Sequence, residues 1–169
     1  KPSLKGKTIV LDPGHAQIQS WGGSDPGATG STGLYERDVV LDISLKAADI
    51  LQAKGANVIL TRKGDTNLTL AGRANVANDN NADIFVSVHC DAIKDKPAVN
   101  GTSTYYYGKV NGQEEARRKL ATAIQSELIN ALGRRNRGVL QENYAVLRYT
   151  AMPSALVETA FISNPEEEQ

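Results

Sequence analysis

The sequence predicts an α/β domain with a largely parallel sheet and helices on both faces, and three observations carry that expectation. Two apolar, β-branched runs, Thr8-Ile9-Val10-Leu11 and Ile84-Phe85-Val86-Ser87-Val88, each lead to one of the chain's 2 histidines. Between and around them, strand-like and helix-like patterns alternate as strand, helix, strand, helix, strand, which favours parallel pairing through right-handed crossovers. The length, 169 residues, suits one domain that buries most of its chain without disulfides.

The first strand runs into Asp12-Pro13-Gly14, a turn that stops it abruptly and leaves His15 just past its C-terminal edge. Ligands of open α/β sheets bind outside those edges. The segment from Ala16 to Leu34 is rich in glycine and lacks periodicity, as expected of a functional loop. From Glu36 the pattern is helical, with Val39, Val40, Ile43, Ala47, Ile50 and Leu51 on one face and Gly55 as the stop. Ala56 to Arg62 reads as the next strand. A helix capped by Thr69 follows, with Leu70, Ala74 and Ala77 as its apolar stripe. After His89 comes a loop from Ala92 to Asn100, then a Thr/Tyr strand from Gly101 to Tyr107, placed at a sheet edge. A long helix from about Gln113 to Leu132 should bury Ala116, Leu120, Ala123, Ile124, Leu128 and Leu132 and end at Gly133. The basic cluster Arg134-Arg135-Asn136-Arg137 reads as a solvated helix exit favoured by the dipole, in preference to a patch for an anionic polymer. The last strand, Ser154 to Thr159, carries Glu158, and Glu166-Glu167-Glu168 resembles a helix start.

Composition narrows the function. Acidic and basic residues balance at 19 each, so no net field argues for nucleic acid or a membrane surface. No apolar run approaches the roughly 18 residues of a membrane span, and no signal-peptide pattern is present. Lys1-Pro2-Ser3 reads as the cut start of a longer chain. Neither a dinucleotide-binding nor a Walker spacing of glycines occurs, which argues against nucleotides. The single cysteine, Cys90, excludes an internal disulfide and a cysteine-based zinc cluster. Beside His89 it reads as a small buried side chain on the opposite face of the strand, a ligand only if the strand has already ended.

The groups expected at the strand edge are His15, His89, Glu158 and the helix-start acid Glu36. Two imidazoles and one carboxylate are a ligand set zinc accepts, with water in the fourth position of a catalytic site. A further carboxylate off the metal then serves as general base and acid. Each group also has an ordinary reading. A strand-end histidine is often a hydrogen-bonded structural residue, and an acid in a helix's first turn answers the dipole. Glu158 is harder to explain away, because an acid within an apolar strand must be paired or functional. Asp12 and Asp91 flank the histidines, each either a turn or cap residue or a partner that orients an imidazole.

Taken together, Thr8 to His15, Glu36-Arg37-Asp38-Val39, Thr61-Arg62 with Arg73, Ser87-Val88-His89-Cys90-Asp91, and Met152 to Asn164 resemble the zinc-dependent N-acetylmuramoyl-L-alanine amidases of bacterial cell-wall lysis. The motifs run in the family's order over nearly the whole chain. The resemblance implies a single catalytic domain over residues 1–169, with a mixed, mostly parallel, twisted sheet of about six strands flanked by helices. It implies hydrolysis of the amide between the lactyl group of N-acetylmuramic acid and the first L-alanine of the stem peptide. It also implies one zinc ion held by His15, Glu36 and His89, with Glu158 as the catalytic glutamate. The expected partner is peptidoglycan, with no nucleic acid and no membrane insertion. The protein is expected to be an extracytoplasmic monomer joined to a wall-binding region. Two departures stand out. Cys90 occupies a place where the family usually has alanine, and the family's final helix is cut short here at Gln169. Two other functions are compatible with the same residues: a non-catalytic peptidoglycan-binding module with a zinc site, and a zinc peptidase that cuts the stem peptide.

Overall fold

In a computed structural model that describes residues 3–16, 23–66 and 68–169, the chain forms one six-stranded sheet with helices on both faces. The elements in order are β1 (Thr8–Pro13), α1 (Glu36–Ala53), β2 (Asn57–Leu60), α2 (Leu70–Asp79), β3 (Ile84–Asp91), β4 (Thr102–Tyr106), α3 (Glu114–Leu132), β5 (Asn136–Gln141), α4 (Ala145–Arg148), β6 (Ser154–Phe161) and α5 (Pro165–Glu168). The sheet order is β2-β1-β3-β6-β4-β5, parallel throughout except where β4 meets β6.

The period of two along the central strands sorts the sheet's faces. Ile9 and Leu11 pack with Ala48 of α1, whereas Val10 and Phe85 pack with Ala77 of α2 and Val146 and Leu147 of α4. Ala155, paired with Val86, meets Ala121 of α3. Helices α1 and α3 therefore cover one face, and α2 and α4 the other. On the α2/α4 face, Asp12 is the register partner of Ser87, and His89 that of Glu158. Strand register alone thus places four polar side chains on one face, at the C-terminal ends of three adjacent parallel strands. Thr69 caps α2 as expected, its hydroxyl accepting from the Gly72 N–H.

Several expectations need correction. Strand β4 lies inside the sheet, between β6 and β5, and β5 is the edge. The edge strand begins at Asn136, within the basic cluster. Its polar, glycine-containing sequence has no apolar alternation to announce a strand. Arg134 pairs with Glu166, and Arg137 lies over the Phe161 ring, so the cluster partly fastens β5 to the end of β6. Ile50 points to solvent, and Leu70 opens onto a cleft.

The buried row of α3 is Arg117, Ala121 and Gln125, with Ala116 and Ala123 exposed. Arg117 is wholly buried and donates to the carbonyls of Leu147, Thr150 and Met152 and to Ser154 Oγ, which fixes the chain entering β6. Burial pushes its guanidinium down to about 10. Arg117→Met leaves those carbonyls without their donor. It is expected to cost about 3 kcal/mol or more, read as a drop in melting temperature on the order of 10 °C.

Candidate functional site

The turn after β1 is held by its carbonyls. Arg62 donates to Pro13 O and Gly14 O, while Arg73 donates to Pro13 O and His15 O. The Gly14 N–H donates to Val88 O and so continues the β1/β3 pairing one residue past the strand. His15 follows at φ 59°, a left-handed conformation unfavourable for a side chain with Cβ, kept here because the surrounding bonds determine it. Its Nδ1 lies 2.9 Å from Asp25 Oδ1 and its Nε2 3.2 Å from Glu36 Oε1.

Glu36 opens α1 and is buried at 4% exposure. Its Oε2 accepts from the Ala28 N–H at 2.8 Å, and its Oε1 from the Cys90 N–H at 3.1 Å. Oε1 also lies 3.2 Å from His89 Nδ1. The His15 and His89 rings meet edge to face, with centroids 5.1 Å apart. Burial opposes ionisation of Glu36, but hydrogen bonds from the two imidazoles and their charge outweigh it. The carboxyl is held well below the usual range. For His15, burial is likewise outweighed by Glu36 and Asp25, which raise it.

Three atoms, His15 Nε2, Glu36 Oε1 and His89 Nδ1, converge on one point, and donor atoms of these three residues all lie within 4.8 Å of one another. Ligands about 2.0–2.1 Å from a tetrahedral metal sit roughly 3.3 Å apart. The two separations of 3.2 Å fit that spacing. Among the described residues this is the one group of His, Cys, Asp and Glu side chains arranged to hold a metal ion.

Glu158 faces the same space. Its Oε2 is buried and, among the described residues, without a hydrogen-bond partner. Burial, with the nearby charges of Asp91 and Glu36, pushes its carboxyl up to about 9. A cleft of about 390 Å³ opens beside it, lined by His15, His89 and Glu158 together with Leu68, Leu70, Tyr144 and Val146.

Asp12 is buried and accepts from Thr61 Oγ1, Arg73 Nη1 and Ser87 Oγ. It touches neither imidazole directly. Burial opposes its ionisation, but the Arg73 charge and these hydrogen bonds lower its pKa. Asp91 accepts from the Ala92 N–H at the turn out of β3 and makes no hydrogen bond to an imidazole. Burial raises it. Cys90 lies on the α1 face, because β3 continues to Asp91. Its sulfur is 3.3 Å from Thr159 Oγ1, and burial pushes the thiol up to about 12. It is a core side chain, not a ligand.

Asp25 is the site residue that sequence reasoning missed. A signal was present: Asp25-Pro26-Gly27 repeats the Asp12-Pro13-Gly14 tripeptide in the glycine-rich loop. Residues 17–22 of that loop lie outside the described residues. Two glycines are required by close approach. A Cβ on Gly27, whose φ is 67°, would meet Glu36 Oε2 and the His15 ring, and a Cβ on Gly14 would overlap the His89 ring. Gly14→Ala must displace that ring. A loss of roughly 100-fold in kcat/KM is expected, checked by steady-state kinetics at equal folded concentration.

Known proteins resemble this chain over nearly its whole length. The family model described as N-acetylmuramoyl-L-alanine amidase matches residues 9–169. The chain is 41% identical to the N-acetylmuramoyl-L-alanine amidase LytC of Bacillus subtilis (strain 168) over 99% of its own length, but spans only 32% of LytC. It is 39% identical to YqiI of the same organism, covering 97% of this chain and 74% of that protein. The crystal structure of an N-acetylmuramoyl-L-alanine amidase from Clostridium difficile 630 superposes with a TM-score of 0.87 at 35% identity, covering 99% of this chain and 86% of that one. The chain therefore belongs to the N-acetylmuramoyl-L-alanine amidase family and is an enzyme of that class.

Proposed function

We propose that this domain hydrolyses the amide between the lactyl group of N-acetylmuramic acid and L-alanine in peptidoglycan, with one zinc ion held by His15, Glu36 and His89. The observation that carries the proposal is the convergence of those three side chains beside Glu158, in a chain of the amidase family. Zinc bound there supplies a Lewis acid and acidifies water. The other parts are the chain's own. Asp25 holds the His15 ring from outside, and the Ala28 and Cys90 N–H groups fix both oxygens of Glu36. Glu158 takes the proton of the attacking water and passes it to the leaving nitrogen. The charge of Glu36 contributes to keeping Glu158 protonated. Burial and the charge of Asp91 act in the same direction and more strongly, and a divalent cation held at the cluster would favour the ionised, basic form of Glu158 by its own charge. The apolar lining residues Leu68, Leu70 and Val146 suit the methyl-bearing lactyl and alanyl groups on either side of the scissile bond.

The place of work in this reading is outside the cytoplasm, and the domain acts as a monomer joined to a wall-binding region. The length of LytC beyond the matched part supports such a region. No helix among the described residues is long and apolar enough to cross a membrane.

Digestion of purified peptidoglycan followed by mass spectrometry tests the reaction. Free muramic lactyl carboxylates with new L-alanine amino termini are expected. Shortened stem peptides would instead identify a peptidase, and wall retained with no new termini would identify a binding module.

A further inference from the structure

We infer that Asp12 and Ser87 form a positioning pair that commits the His89 ring proton to Nε2 and turns Nδ1 toward Glu36. This inference rests on the metal-centre reading and deepens it. The argument is a proton count. Ser87 Oγ lies 2.6 Å from Asp12 Oδ2 and 3.1 Å from His89 Nε2. A serine hydroxyl has one proton and two lone pairs. The shorter contact has the length of a hydroxyl donating to an ionised carboxylate. Asp12 is ionised, since its other oxygen takes Arg73 Nη1 at 2.7 Å and the Thr61 hydroxyl at 2.6 Å. The Ser87 proton is therefore spent on Asp12, and only lone pairs are left for the ring. His89 Nε2 must donate, or two acceptors would face each other at 3.1 Å; the same count leaves Nδ1 and Glu36 Oε1, 3.2 Å apart, as two acceptors that only a cation between them, a metal ion or a second ring proton, reconciles.

Sheet geometry makes this arrangement natural. Ser87 and His89 are two residues apart on one strand and so share a face, and Asp12 is the register partner of Ser87 on the neighbouring strand. The other imidazole is handled with the opposite polarity. His15 gives Nδ1–H to Asp25 at 2.9 Å and turns Nε2 inward. The two rings thus present different nitrogens to one point, each selected by a carboxylate on its far side. One acts directly from the loop, the other through a serine from the buried end of β1.

The test uses the whole domain, 15N-labelled, with zinc alone as the probe. Two imidazole N–H signals protected from solvent exchange are expected, Nδ1–H for His15 and Nε2–H for His89. Ser87→Ala should abolish the protection of the His89 signal, keep that of His15, and raise the zinc dissociation constant about 10–100-fold, the range for lost outer partners of a ligand. Asp12→Asn should weaken zinc through the same serine, so the double variant should bind no worse than the weaker single one. The retained His15 signal shows that Ser87→Ala has kept its fold. A Ser87→Ala protein with a protected His89 N–H and wild-type zinc affinity overturns the inference. Wild-type protein that takes up no zinc overturns the metal reading instead. In that event the His89 signal of the metal-free protein still decides the pair: protected in the wild type and lost in Ser87→Ala supports it, any other pattern refutes it.

Discussion

Glu158→Gln is expected to lower kcat by at least about 100-fold while leaving zinc content intact. The glutamine keeps the size of the side chain but cannot accept and return a proton. Glu158 is singled out by its setting, since its Oε2 is buried without a partner and its carboxyl is pushed up to about 9 by burial and by Asp91 and Glu36. That setting is costly to the fold, and the sign can be worked out. The folded, metal-free domain holds this proton up to about pH 9, whereas the unfolded chain releases it near 4.5. The folded state therefore binds more protons between those values, and stability falls as pH rises through that window. Glutamine removes the penalty. Metal-free Glu158→Gln should melt higher than metal-free wild type at pH 7, with the difference shrinking toward pH 4.5. Calorimetry at the two pH values, paired with kinetics, checks both halves. Full activity in the variant would sink the assignment.

Removal of Glu36, the proposed metal ligand at the centre of the cluster, is expected to have the other large effect. Glu36→Ala should retain no zinc after gel filtration and lose activity by more than the roughly 100-fold that loss of an outer partner costs. Metal analysis of the wild type should give one zinc per chain. A chelator should abolish turnover, and added zinc should restore it. Glu36 Oε1 lies 3.2 Å from both imidazoles, so no neighbouring oxygen can substitute for it without rebuilding both contacts. Stripping the metal should also expose a pH dependence. His15 is raised above 6.5 in the metal-free site, so its contribution is present below that value and lost as pH rises through the folded pKa. Glu36 is lowered, so its contribution is present above about 4.5 and lost as pH falls. Metal-free protein should therefore be most stable in weak acid and lose stability toward alkaline pH. Melting curves across pH 4 to 9 test this. An active enzyme free of metal would overturn the centre altogether.

Much of this site is legible in the sequence. The endings of β1, β3 and β6 and the start of α1 follow from local rules: a period of two, a period of 3.6, and the turn chemistry of Asp-Pro-Gly. Those rules placed His15, His89, Glu158 and Glu36 at the same edge of an α/β sheet. What was missed has a common character. Strand β5 and helix α4 carry little apolar periodicity, and β5 is held by pairing with β4. On α3, the apolar pattern finds Leu120 and Ile124, which pack on the core, but not the buried Arg117 and Gln125, because Arg117 reaches the core by satisfying carbonyls, a partnership hydropathy does not register.

The sequence by itself determined the class of fold, the four residues brought together at its edge, and the family, since each depends on short-range periodicity and on ordered motifs. Only the tertiary structure decided which groups orient them. Asp25 reaches His15 across a loop, and Asp12 reaches His89 through Ser87, a residue 75 positions away in the chain. Strand order and register set those partnerships, and the direction of a serine proton depends on a carboxylate brought to it from another strand. The turn at Asp12-Pro13-Gly14, read first as the place where a strand ends at a histidine, also supplies the buried charge that orients the second one.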